Sequence, residues 1–393
     1  MAESILDGEL PMPVCLDRYT FEADVKLPHR KSPFEFRESN PDCLEIGLVN
    51  NMPSGALERT ERQFLARLEA AADGMVVRLT FLAVPEIPRT SAGQRHVSNL
   101  YSDINDLWGH SLDGLIVTGT EPQMPNLRDE PYWGSLVRLL EWAKYNTHSS
   151  IWSCLAAHAA LLHIDGIERR PLGEKCFGVF ECAKVSEHCL TAGVPARLYM
   201  PHSRWNGVQE DVLTSCGYRV ITKSDAAGVD MFVKHGNNPF VFFQGHPEYD
   251  AETLLREYRR DIGRFLRNER DVYPSMPEGY FDKSTADAWA ALRNRALIDR
   301  REELINDPKA EIAVSGVRDS WSSAAICMYR NWLQYLCTRK EQRLKARQGR
   351  EHPRASCSEP SHINCANPMF ESQRPRIADG KVPELVEELT TAT

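Results

Sequence analysis

The sequence predicts an α/β fold, a three-layer sandwich in which a parallel sheet carries helices on both faces and a helical addition follows at the C-terminal end. Two observations carry this. Short apolar runs alternate with amphipathic stretches from residue 43 to residue 163. The runs are also apolar along most of their length rather than at every second position, the pattern of strands buried on both faces.

Taken in order, "CLEIGLVN" (43–50) reads as a strand, and "ALERTERQFLARLEAAA" (56–72) puts Leu57, Phe64, Leu65 and Leu68 near helical spacing among charges. "MVVRLTFLAV" (75–84) is a strand, "HVSNLYSDINDLW" (96–108) a helix, "DGLIVTG" (113–119) a buried strand and "YWGSLVRLLEWAKYN" (132–146) a helix. "SSIWS" (149–153) is a short strand running straight into a helix over 155–163. The later part is richer in strands: 196–201, 218–224, 230–235 and 239–244, followed by an amphipathic helix at 251–267 and another at 320–340. Residues 1–43, with five prolines, read as an extended arm, and residues 44–341 as the domain. Residues 342–393, basic and then rich in Pro, Ser and Asn, read as a disordered tail.

The bulk composition excludes several classes. At 42% hydrophobic and 26% charged residues, the 393-residue chain has ample material for a core. A net charge of −8 without a long basic run argues against nucleic acid as a partner. No apolar run approaches the roughly 20 residues that span a bilayer, so no membrane is expected. The N-terminus carries no secretory leader, and the 11 cysteines are odd in number and irregularly spaced, which points to a reduced cytoplasm with free thiols. His352, Cys357, His362 and Cys365 match no zinc-ligand spacing, so no metal is expected.

The chemistry is sought at the carboxyl ends of the strands, where α/β sheets bind ligands. Cys154 stands between strand 149–153 and the helix from 155. A thiolate there sits at a helix N-terminus, whose partial positive charge favours it, and the first-turn amides can cradle an oxyanion. Read alone, Cys154 is as compatible with a small buried hydrophobe. "QGHPEYD" (244–250) shifts the balance: an apolar strand ends and His246 and Glu248 follow at i and i+2, held by Pro247. A base for the thiol and a carboxylate to orient its imidazole are what a nucleophilic cysteine needs. His158, four residues after Cys154, is the competing base and reads better as a packed helix residue.

Strand–Cys–helix followed late by Gly-His-Pro-Glu resembles the class I glutamine amidotransferase-like fold, a flavodoxin-like sandwich. Within it the chain is similar to the homoserine trans-acylase family, the homoserine O-succinyltransferases and O-acetyltransferases. "NNMP" (50–53), "TERQFL" (60–65), "LDGLIVTG" (112–119), "CLAAHAALLHIDGI" (154–167), "EKCFGVFE" (174–181), "MPHSRW" (200–205), "GHPEYDAETLLREYRRD" (245–261) and "NWLQYL" (331–336) occur in the family's order. The resemblance covers about residues 44–340.

It implies an enzyme of methionine biosynthesis with no bound cofactor and acyl-CoA, as succinyl-CoA or acetyl-CoA, for co-substrate. Cys154 would take the acyl group, His246 would act as general base and acid, Glu248 would orient it, and the hydroxyl of L-homoserine would accept. The backbone amides of Leu155 and Thr120 are the expected oxyanion hole. Lys175 matches an active-site lysine, Arg260 the arginine that grips the amino-acid carboxylate, and Arg204 a loop residue facing the acceptor, with a structural ion pair as its equal alternative. A homodimer is the family's assembly.

Two departures bear on specificity. "MPSGALERTE" (52–61) is two residues longer than the family's loop and lacks its lysine, with Arg59 or Arg62 as substitutes. In "TGTEPQMPNL" (118–127), Gln123 stands where the family's glycine admits succinyl and its glutamate repels it. The lost charge favours succinyl. The altered loop leaves L-serine or another hydroxy amino acid as an alternative acceptor. A glutamine amidotransferase-like cysteine hydrolase is the second reading, against which "WSCLA" lacks the glycines that flank the cysteine in those enzymes.

Overall fold

A computed structural model describes residues 14–16, 42–306 and 319–351. The sheet is built first from β1 (Val14–Leu16), β2 (Cys43–Val49), β3 (Val76–Leu82), β4 (Gly114–Val117) and β5 (Ser149–Ser153), joined by α1 (Leu57–Ala72), α2 (Ser91–Leu100) and α3 (Trp133–Asn146). After α4 (Leu155–Asp165) come β6 (Arg170–Lys184), β7 (Arg197–Gly207), α5 (Glu210–Ser215), β8 (Tyr218–Ser224), β9 (Gly228–Lys234) and β10 (Phe240–Phe243). The helices α6 (Thr253–Leu266), α7 (Lys283–Ile298) and α8 (Ser322–Glu351) follow.

Strand order is β1-β3-β2-β4-β5-β10-β9-β8-β6-β7. From β1 to β10 every pairing is parallel, as expected. Beyond β10 every pairing between strands is antiparallel, so the expected parallel sheet is extended by antiparallel strands into a mixed one. The cause is connection length. Only 225–227 separate β8 from β9 and 235–239 separate β9 from β10, and a parallel crossover needs a dozen residues or more.

The strands are apolar on both faces because both are covered. Leu115, Val117, Phe240 and Phe242 pack with α3 and α4 on one side, whereas Ile116, Val241 and Phe243 pack with α1 and α8 on the other. A third cluster, holding Tyr258, Trp289 and Trp321, ties α6 and α7 to Phe177 and Val179 of β6.

Three further boundaries differ from expectation. The helix expected over 96–108 runs from Ser91 to Leu100, capped by Thr90 accepting from the Gly93 amide at 3.3 Å, and a separate 3-10 turn covers Ile104–Leu107. Within the expected arm, Val14–Leu16 is an edge strand on β3; the rest of 1–41 lies outside the described residues. The last helix runs to Glu351, past the expected tail boundary at 341, because "EQRLKARQGRE" is made largely of good helix formers. The remainder of the tail, with His352, Cys357, His362 and Cys365, lies outside the described residues. Among the described residues no helix is long and apolar enough to cross a membrane.

Candidate active site

Parallel pairing of β5 with β10 sets Ser153 opposite Phe243, so the segments leaving both strands emerge side by side. Cys154 caps α4 with φ 51° and ψ −112°, a conformation that non-glycine residues rarely adopt and that a sharp strand-to-helix turn demands. Its amide donates to Phe243 O at 2.7 Å, which ties the turn to the end of β10. The thiol is partly exposed at the first turn of the helix.

Three residues beyond β10 stands His246, its amide held by Pro201 O at 2.8 Å. Nδ1 of His246 lies 2.8 Å from Oε1 of Glu248, and Glu248 is buried. The ring stacks on Tyr249 with centroids 4.3 Å apart. Burial works to lower the pKa of His246, but the Glu248 charge, with a hydrogen bond to the Cys154 thiol, holds it well above the ordinary value. Cys154, His246 and Glu248 are therefore brought together, in the order thiol, ring, carboxylate. His158 is buried in α4, and burial, with Arg204 and Arg169 nearby, pushes it down to about 3. It is a neutral packed ring, not a base near pH 7.

A methyl group placed on Gly119 would lie 2.9 Å from the Leu155 nitrogen and 3.3 Å from Ser153 O. The end of β4 thus lies directly against the first amide of α4, beside Cys154, with no room for a side chain at Gly119. That strand end is clamped: Asn51 N donates to Thr118 Oγ1 at 2.8 Å, and Asn51 Nδ2 to Thr118 O at 3.2 Å.

On the other side of His246, Tyr249 donates to Glu257 Oε1 at 2.7 Å, and Ser203 donates to Oε2 of the same carboxylate. Lys175 Nζ sits 3.4 Å from Glu257, 3.5 Å from Asp261 and 3.9 Å over the Phe177 ring. Burial opposes ionisation of Glu257, but Lys175 and the two hydroxyl donors hold its pKa below the ordinary value. Arg260 is half-exposed, pairs with Asp261 at 2.9 Å and feels Glu121 from the loop after β4. Gln123, in that loop, has an exposed side chain; its amide and that of Met124 donate to buried Glu130 at 2.6 and 2.7 Å. Arg204 differs from its expected setting. It lies on strand β7 rather than a loop and is buried, with its guanidinium donating to Asn206 O, Ala227 O and His202. Arg59 reaches Asp250 at 4.0 Å, whereas Arg62 is exposed beside Glu58.

A family model described as homoserine O-succinyltransferase matches residues 35–343. The chain belongs to that family. It is 47% identical over 310 residues to a homoserine O-succinyltransferase of Rhodopseudomonas palustris, covering 79% of this chain and 92% of that one. Against the homoserine O-succinyltransferase of Bradyrhizobium japonicum the identity is 46% over 303 residues, covering 76% and 92%. A glutamine amidotransferase of Thermotoga maritima aligns with 75% of this chain and 98% of its own at 13% identity and a TM-score of 0.41, a likeness too remote to bear on function.

The structure also draws in residues that the sequence reading does not single out. Tyr249 follows Glu248 directly, and Glu257 precedes Arg260 and Asp261 by three and four residues, one face of a helix. That spacing was the available signal. Asp230 had none. It is fully buried on β9 beneath the His246 loop, accepting from Thr222 Oγ1 at 2.7 Å and from the Gly245 amide at 3.3 Å, with His202 Nε2 3.5 Å away. Gly245 is required there, since a methyl group would lie 2.6 Å from Asp230 Oδ1 and 2.4 Å from Met200. With Cys182, His202 and Asp230 form a buried group whose potential ligand atoms lie within 4.8 Å of one another.

Burial pushes the Asp230 carboxyl up from 3.8 to about 6, against the pull of Thr222 and Gly245. The unfolded chain therefore releases this proton first, so this group's contribution to stability falls as pH rises from about 4 to about 6 and then levels. Relative to wild type, Asp230→Asn is expected to gain about 3 kcal/mol across that window. Urea unfolding at a series of pH values checks it, and a pH-independent difference would refute the shift.

Proposed function

We propose that the chain moves a succinyl group from succinyl-CoA to the hydroxyl of L-homoserine through an acyl-enzyme on Cys154. The observation that carries this is the strained cysteine at the head of α4 within reach of His246 and the buried Glu248 paired to it. The thiolate of Cys154 attacks the thioester carbonyl, and the C–S bond to CoA breaks. The departing CoA thiolate takes a proton from His246. The homoserine hydroxyl then attacks the acyl-cysteine, gives its proton to His246 and leaves Cys154 as thiolate. Both steps pass through an oxyanion, for which the Leu155 and Thr120 amides are the proposed donors.

Thioester exchange is nearly isoenergetic, so a covalent intermediate divides the transfer at little cost. Glu248 fixes the ring and sustains its charged form. Arg260 is the proposed fork for the acceptor carboxylate, and Lys175, with Glu257, a polar wall beside it. Arg204, buried and bonded through each of its three nitrogens, braces β7. The names of the relatives support succinyl as donor. The absence of a carboxylate at Gln123 agrees with that donor, since no charge there repels the succinyl carboxylate.

The test is intact-protein mass spectrometry after exposure to succinyl-CoA or acetyl-CoA, with Cys154→Ala alongside. A succinyl adduct is expected on wild type alone, discharged by homoserine and not by serine. An acetyl adduct would move the donor, and discharge by serine would move the acceptor. No adduct on folded protein would overturn the acyl-enzyme and return the chain to a hydrolase reading.

A further inference from the structure

At the opposite end of the sheet from Cys154, a cavity of about 370 Å3 opens where β5 and β10 begin. His148, just ahead of β5, and Asn238, just ahead of β10, line it together with Arg339, Gln342 and Arg343 of α8 and with Tyr145 at the end of α3. From His148 to Cys154 the chain runs six residues of strand, about 20 Å. The cavity is therefore no part of the acyl-transfer cleft.

Its charge is unbalanced. Arg339 and Arg343 stand four residues apart on one helix face, where like charges repel. Among the described residues neither has a carboxylate partner. Arg339 reaches only Gln342 Oε1 and Asn237 O, both at 3.3 Å, and its Nε is buried with no acceptor. The nearby carboxylate, Asp113, is already committed to Lys340 at 2.9 Å and to the Glu45 amide at 2.8 Å, with His148 3.6 Å away. Burial lowers the pKa of His148; Asp113 opposes this, and Arg343 and Arg339 add to it, as expected of a locally positive pocket. In a chain of net charge −8, such a cluster is a local feature and not a reflection of the whole surface.

We propose that this cavity binds a phosphate group, free or carried by a small organic molecule. Two planar guanidiniums with an imidazole beside them supply donors for more than two anionic oxygens, which suits phosphate better than a single carboxylate. The volume exceeds that of a bare ion and falls in the range of small-molecule sites. Tyr145, 75% exposed, offers a ring face at the rim for a planar group.

Isothermal titration calorimetry on the full chain at low salt tests this, with inorganic phosphate in one arm and a nucleoside monophosphate in the other. Each arm is run with and without saturating CoA. Binding to wild type is expected, unchanged by CoA and at least about tenfold weaker in Arg343→Gln and in Arg339→Gln. Acyl transfer by Arg343→Gln, without phosphate, is expected to match wild type. Tighter binding of the nucleotide would identify an organic phosphate as the ligand, and equal binding would identify the free ion. The proposal is overturned by no binding of either probe up to about 10 mM, by unchanged affinity in both variants, or by displacement with CoA. Thermal melts establish that the variants are folded, and Arg343→Gln, at an exposed position, decides the matter if Arg339→Gln is not.

Discussion

Glu248→Gln is expected to slow acyl transfer by about 10^4-fold, the loss seen when the orienting carboxylate of a nucleophile–imidazole–carboxylate triad is neutralised. The physical reason lies in the balance at His246. Burial lowers the pKa of the ring, and the Glu248 charge 2.8 Å from Nδ1 is the largest influence opposing it. The amide can still accept from Nδ1, or present its NH2 and select the wrong tautomer, but it carries no charge in either orientation. Burial then dominates and the His246 pKa falls.

The sign of the pH effect follows. In the proposed mechanism the CoA thiolate leaves by taking a proton from His246, so acylation is expected to fail as pH rises through the His246 pKa. In wild type that pKa is raised, and the alkaline limb lies high. In Glu248→Gln the limb moves to lower pH. Release of CoA in the acylation half-reaction, followed across pH, reads both effects. A loss below tenfold with an unmoved limb would remove Glu248 from the mechanism.

Cys154, His246 and Glu248 were legible in the sequence because each lies in a short local pattern: strand, elbow and helix for the first, and a strand end followed by His-Pro-Glu for the others. What brings these segments together, the pairing of β5 with β10, is a matter of strand order that apolar periodicity does not encode. The same limit explains the mixed sheet. The apolar runs at 218–224, 230–235 and 239–244 announce strands, but only their short connections reveal direction. The helix at Ser91–Leu100 begins with a polar turn whose signal is a Thr90 cap rather than an apolar stripe, so apolar periodicity places its start too late.

The less legible part of the site depends on contacts between distant segments. Glu257 becomes significant only where Ser203 of β7, Tyr249 and Lys175 of β6 converge on it. Asp230 is an ordinary strand residue until the Gly245 amide and His202 meet it. Arg204 shows the converse. Its motif left a ligand and a structural ion pair equally open, whereas its fold position turns its guanidinium to Asn206 O, Ala227 O and His202.

Gly119→Ala is expected to cut the rate of both half-reactions by about 10^2 to 10^3-fold, the cost of losing one oxyanion donor. The added methyl would sit 2.9 Å from the Leu155 nitrogen, closer than Cβ atoms are found, and a tight 3.1 Å from its Cβ. The backbone cannot simply retreat, because Thr118 is bonded through Oγ1 and O to Asn51, whose Oδ1 in turn accepts from the Val84 amide at 3.2 Å. The methyl therefore displaces either the donor or the oxyanion. Leu155 N–H is the first amide of α4, one of the donors that a helix leaves without an internal partner, so an oxyanion is the natural acceptor for it.

The effect is separable from that of Glu248→Gln. Acylation and deacylation each form an oxyanion at the same carbon, so Gly119→Ala should slow CoA release and homoserine-dependent discharge alike. His246 and its charge are untouched, so the pH limbs should stay in place, as should the rate at which iodoacetamide alkylates Cys154. Slowed alkylation would mean that the methyl distorts the elbow itself. Unimpaired turnover would move the oxyanion site away from Leu155.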